Sequence, residues 1–174
     1  AVDGILYLNE TGAKGSYGDS SPFPSTAPTT TVFSIGTPNN TNGSGATYIA
    51  YCFAEVKGFS KFGSYTGNGN ADGTFVYTGF APAFVMFKRS DSTSNWIIFD
   101  QKRGLHNLND NYLYANATSA EGTSSSSGVD LLSNGFKQRN TYADANTSSG
   151  TYIYMAFAEN PFVTEGTKAA GTAK

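Results

Sequence analysis

Gly150-Thr151-Tyr152-Ile153-Tyr154-Met155-Ala156-Phe157-Ala158-Glu159 is the stretch on which the fold turns. Alternate residues fall on opposite faces of an extended chain, so Tyr152, Tyr154, Ala156 and Ala158 share one face and Ile153, Met155 and Phe157 the other. Both faces are apolar, which predicts a strand covered on each side, near the middle of a packed sheet. A near copy stands earlier, with Glu55 104 positions before Glu159: Gly45-Ala46-Thr47-Tyr48-Ile49-Ala50-Tyr51-Cys52-Phe53-Ala54-Glu55. A second pair of blocks lies further out on the same side of each: Leu6-Tyr7-Leu8-Asn9-Glu10-Thr11-Gly12-Ala13 resembles Leu113-Tyr114-Ala115-Asn116-Ala117-Thr118-Ser119-Ala120, 107 positions on. Matching blocks in the same order predict a duplicated unit, with the Tyr48 and Tyr152 strands superposable.

Short β-branched and aromatic runs, broken by Gly, Asn, Ser and Pro, extend this pattern over the chain. Strands are predicted near Ile5–Asn9, Thr31–Ile35, Thr47–Val56, Phe59–Tyr65, Thr74–Phe80, Ala83–Lys88, Asn95–Asp100, Tyr112–Asn116, Val129–Phe136 and Thr151–Glu159. Helical periodicity is nearly absent, so the expected class is all-β, a β-sandwich or jelly-roll-like fold of two related halves. The first repeat is assigned to residues 1–78, the second to 79–165, and 166–174 to a flexible tail on one compact unit. The second repeat has a lead-in, Gly79–Gly104, with two apolar runs; the first repeat starts part-way through, at Ala1 rather than Met. Upstream residues or a neighbouring copy are therefore expected to close the first half.

At 174 residues, 39 % of them hydrophobic and 14 % aromatic, the chain can bury a core. Charged residues are 14 %, below the roughly 25 % of an ordinary soluble domain. The net charge is −2, and the longest basic groupings are Lys88-Arg89 and Lys102-Arg103. Nucleic acid, whose binding needs clustered cations, is not an expected partner. No apolar run approaches the ~18 residues of a membrane-spanning helix, so membrane insertion is not expected.

Catalytic chemistry finds few side chains to use. His106 is the single histidine and sits in a polar loop; Cys52 is the single cysteine, so no intrachain disulfide forms. Within an apolar strand pattern, Cys52 is expected to be buried. Two such ligands do not make a zinc site. Glu55 and Glu159 occupy matching positions in the two repeats, which favours a shared structural role over a catalytic pair. Asn68-Gly69-Asn70-Ala71-Asp72-Gly73 has the oxygen spacing of a calcium loop, but Gly79 stands where the closing acidic residue belongs. The expectation is therefore no catalytic residue, no metal and no cofactor. Aromatic rings stack on sugar faces, and Trp96, Tyr65 and Tyr142 are the glycan-binding candidates by residue type, although Trp96 lies in the apolar run Trp96-Ile97-Ile98-Phe99.

The segment Tyr48–Gly69, then Phe75–Phe80, resembles a domain of unknown function found in structural proteins of marine bacteriophages. Leu132-Ser133-Asn134-Gly135-Phe136-Lys137 and Tyr152-Ile153-Tyr154-Met155-Ala156-Phe157-Ala158-Glu159-Asn160-Pro161-Phe162 carry the same resemblance, which runs from about Leu6 to Phe162. It implies a β-sandwich of lectin-like type on a virion surface, in a tail-fibre, head-fibre or capsid decoration protein. It supplies no catalytic residue. The expected partners are sister copies in a homo-oligomer or other virion proteins, with a host-surface glycan as the alternative partner of a receptor-binding domain.

Overall fold

The computed structural model describes residues 4–16, 22–24, 26–104 and 107–161. The strands are β1 (Gly4–Ile5), β2 (Gly15–Ser16), β3 (Ser60–Thr66), β4 (Phe75–Tyr77), β5 (Pro82–Arg89), β6 (Trp96–Asp100), β7 (Asn111–Tyr114), β8 (Gly122–Thr123), β9 (Val129–Leu132), β10 (Gly135–Gln138) and β11 (Thr151–Ala158). One helical turn, α1 (Asn39–Asn42), precedes β3. The fold is all-β. A six-stranded antiparallel sheet, β3-β11-β5-β6-β7-β8, packs on a three-stranded one, β4-β10-β9, as a β-sandwich; β1 and β2 form a separate pair. Strands from either side of residue 78 share the sandwich, since β4 pairs with β10 and β3 with β11.

The quoted stretch Thr151–Ala158 is β11, and it lies between β3 and β5 as its pattern requires. Tyr152, Tyr154 and Ala156 face the core with Val85, Phe87, Ile97, Phe99 and Phe136. Tyr152 stacks on Tyr65 at 4.9 Å, and Phe136 meets Tyr154 edge-on at 5.4 Å. Removing each such side chain from water contributes roughly 1.5–3 kcal/mol. The opposite face carries a second aromatic group, in which Phe157 touches the rings of Phe53, Phe59, Phe62 and Phe84. The run read as one strand, Val129–Phe136, is a hairpin of β9 and β10. Gly135 is required there, because a Cβ would lie 2.1 Å from the Val76 carbonyl oxygen of β4.

Two expected strands are absent from the described residues. Thr31–Ile35 has no ladder, and Thr47–Val56 has none either: its backbone is held only at its end, by a bridge between Val56 and Ser60 and a bond from Ser60 Oγ to the Ala54 carbonyl. No backbone N–H from Thr47 to Glu55 meets a described acceptor. Alternating apolar residues mark a surface that fits a pleat, but a strand also needs a neighbouring backbone, and none among the described residues pairs with this one. Cys52 is therefore exposed rather than buried. Ile49 and Tyr51 are each 81 % exposed. The first of the two matching blocks is thus open where the second is a central strand. The 166–174 tail and His106 lie outside the described residues.

Candidate functional site

The three candidate aromatic residues occupy three different environments. Tyr65 is inside the sandwich, where its hydroxyl donates to the Ala145 carbonyl at 2.7 Å and accepts from Gln138 Nε2 at 3.0 Å. Burial, then the neighbouring Tyr152, pushes its pKa well above the ordinary tyrosine value. Trp96 opens β6 on the outer face, buried, with Nε1 donating to the Tyr7 carbonyl at 2.9 Å. The segment after β1 thus lies over the Trp96 edge, held also by a bond from Ser94 N to the Thr11 carbonyl. Neither buried ring offers a face to a ligand. Tyr142 is at the surface, its hydroxyl 3.3 Å from that of Tyr114, whose ring lies 5.1 Å from Tyr112.

The calcium-like loop is closed on itself. Asn68 Oδ1 accepts from Asn70 N and from Asn146 Nδ2, and Asn70 Oδ1 accepts from Asp72 N. Asp72 pairs with Lys137 and Arg139. The Lys137 ammonium, hydrogen-bonded to it, holds the Asp72 carboxyl below its ordinary pKa. Buried Asn146 is the clamp of this corner, and composition alone did not single it out among so many asparagines: its amide donates to Asn70 and Asn140 carbonyls as well. The loop oxygens are thus spent on internal donors, and two cations already stand where a third would bind.

Glu55 forms an ion pair with Lys61 at 2.8 Å. Glu159 lines a small cavity of about 190 Å³ with Gln101, Asn107 and Asn109. No group of three or more His, Cys, Asp or Glu able to hold a metal occurs among the described residues. No helix among them is long and apolar enough to cross a membrane.

The feature that separates this surface from an ordinary one is a groove of about 780 Å³, between the segment containing Val32, Phe33 and Ile35 and the extended segment Tyr48–Ala54. Its lining is mostly apolar, and Val32, Ile49, Tyr51 and Phe53 are each more than 60 % exposed. Contiguous exposed apolar surface of this kind is uncommon on a soluble monomer. The sequence signal for it is the double-faced apolar pattern at Thr47–Val56, in a first repeat that lacks the lead-in of the second.

A family model for a domain of unknown function, DUF7483, matches residues 1–161. The chain belongs to the DUF7483 family. The groove and the sandwich both fall within the matched residues, so both are parts of this domain. No curated protein and no solved structure matches the chain.

Proposed function

We propose that this DUF7483 chain is a non-enzymatic structural module on the surface of a phage particle, a fibre or capsid decoration module that works by assembling. The observation that carries the reading is the Tyr48–Ala54 segment, whose backbone N–H groups meet no described acceptor and whose apolar side chains line an open groove. A surface that combines free strand hydrogen-bonding groups with apolar side chains gains by joining another β element, as in strand addition. The resemblance to phage structural proteins supplies the particle, and the low charge of 14 % suits a surface packed against neighbours. The homo-oligomer, the virion location and the absence of catalysis are parts of this one proposal.

Localisation on intact particles tests it. Antibody against the chain should decorate purified virions at a regular position under electron microscopy; a chain absent from purified particles would sink the reading. Incubation with bacterial polysaccharide should release no sugar, and release abolished by Glu55→Gln or Glu159→Gln would replace the structural reading with an enzymatic one.

A lectin-like receptor-binding role has one observation in its favour, the exposed Tyr142 beside Tyr114 and Tyr112. Glycan binding that Tyr142→Ala weakens at least roughly tenfold would support it, since one stacked ring contributes on the order of 1–3 kcal/mol.

A further inference from the structure

Several hydrogen bonds among the described residues from Gly4 to Tyr48 recur in the second half, so the likeness is not only one of letters. The β1–β2 register, Gly4 with Ser16 and Ile5 with Gly15, recurs 107 positions on in β7–β8 as Asn111 with Thr123 and Tyr112 with Gly122. The bond from Glu10 N to the Tyr7 carbonyl recurs at the same spacing from Ala117 N to Tyr114. Nearer the groove the spacing is 104. Asn42 N donates to Pro38, and Asn146 N to Tyr142; Ala46 N donates to Gly43, and Gly150 N to Thr147. The Tyr48 hydroxyl donates to the Asn39 carbonyl and accepts from Gly43 N. The Tyr152 hydroxyl does the same with Ala143 and Thr147. Asn39 and Ala143 differ, as do Gly43 and Thr147, so the agreement is one of backbone structure.

What differs is the cover. In the second half, β11 is flanked by β3 and β5, and Tyr152, Tyr154 and Ala156 meet Tyr65, Phe87 and Val85. In the first half the matching residues Tyr48, Ala50 and Cys52 line the groove. Nothing among the described residues plays the part of β3, β5 and β6 towards them. The chain's own Ser60–Asp100 strands are already paired with β11 and with each other.

Resting on the assembly reading, we propose that the groove is the open half of a second sandwich and that its occupant is a further copy of the half-unit Phe59–Gly104. In the closed assembly Tyr48–Ala54 becomes a central strand, between a β3-like and a β5-like strand. Cys52 then takes the place of Ala156, which is 0 % exposed in the filled copy.

Cys52, the single thiol, reports the outcome. The full chain is compared with the same chain carrying a second Phe59–Gly104 segment fused ahead of residue 1. Fusion should slow labelling of Cys52 by a thiol reagent roughly tenfold or more, because reaction then requires local opening. A fusion whose added segment carries Phe87→Asp should label at the unfused rate. A fused chain that melts cooperatively yet labels as fast as the unfused one overturns the proposal. If the fusion does not fold, the segment is co-expressed as a separate polypeptide: co-purification with a protected Cys52 supports the proposal, and failure to co-purify overturns it. An unfused chain that sediments as a dimer with Cys52 protected overturns the occupant but leaves the assembly reading standing. Absence from particles, measured separately, removes that reading instead.

Discussion

The hydroxyl of Tyr65 sits between Ala145 and Gln138 with no water-facing side, and this single atom ties β3, β10 and the loop before β11 together. Tyr65→Phe keeps the ring stacked on Tyr152 but leaves a buried amide donor and a buried carbonyl unpaired, at a cost of about 1–3 kcal/mol read as a lowered Tm. The same residue sets a pH dependence. Burial raises the folded-state pKa of Tyr65, and likewise those of Tyr152 and Tyr154, above the unfolded value. The unfolded chain therefore loses protons first as pH rises. Stability is fully present below the ordinary tyrosine pKa of about 10 and declines above it. Thermal melts across the alkaline range should show this decline, shallower in Tyr65→Phe; a flat profile would contradict the burial of these phenols. Tyr65 was legible as an aromatic in a strand, but which face it occupied depended on the register with Tyr152, which no local pattern states.

At the scale of the element, Tyr48–Ala54 and Tyr152–Ala158 are nearly the same words with opposite fates. Ala156 is sealed between β3 and β5, whereas Cys52 is exposed. Ala156→Asp should unfold the sandwich, since an unpaired charge in the core costs several kcal/mol. Cys52→Asp should change the Tm of the unfused chain by no more than a surface substitution does, about 0.5 kcal/mol in stability. Equal losses at both sites would show that the first segment is covered after all. The Asn68–Asp72 loop makes the parallel point about spacing and chemistry. Its oxygens follow a calcium pattern, yet Lys137 and Arg139, distant in sequence, claim its one carboxylate. A chelator should accordingly leave the melting temperature unchanged, and a drop on chelation would show a bound ion.

For the whole molecule, the sandwich from β3 to β11 holds the continuous core, and the N-terminal segment contributes a lid over Trp96. A chain trimmed to residues 57–161 should keep a cooperative melt at a lower Tm. Its tryptophan emission should shift to longer wavelength as Trp96 becomes wet. Loss of cooperative folding would mean that residues 4–56 belong to the same core rather than covering its outside. A groove of about 780 Å³ set beside a filled sandwich is also a whole-molecule property, because it exists only where two segments part without a third between them.

The all-β class and the central place of Thr151–Ala158 came from residue types and their period-two alternation alone. Alternation reports how a side chain fits a pleated surface, and that is a local quantity. Whether Tyr48–Ala54 is covered, whether Tyr65 and Trp96 can meet a ligand, and which cations neutralise Asp72 were decided only by the tertiary structure. Each depends on what another part of the chain places alongside. Two segments that ask for the same neighbours in the same residues received them in one case and not in the other.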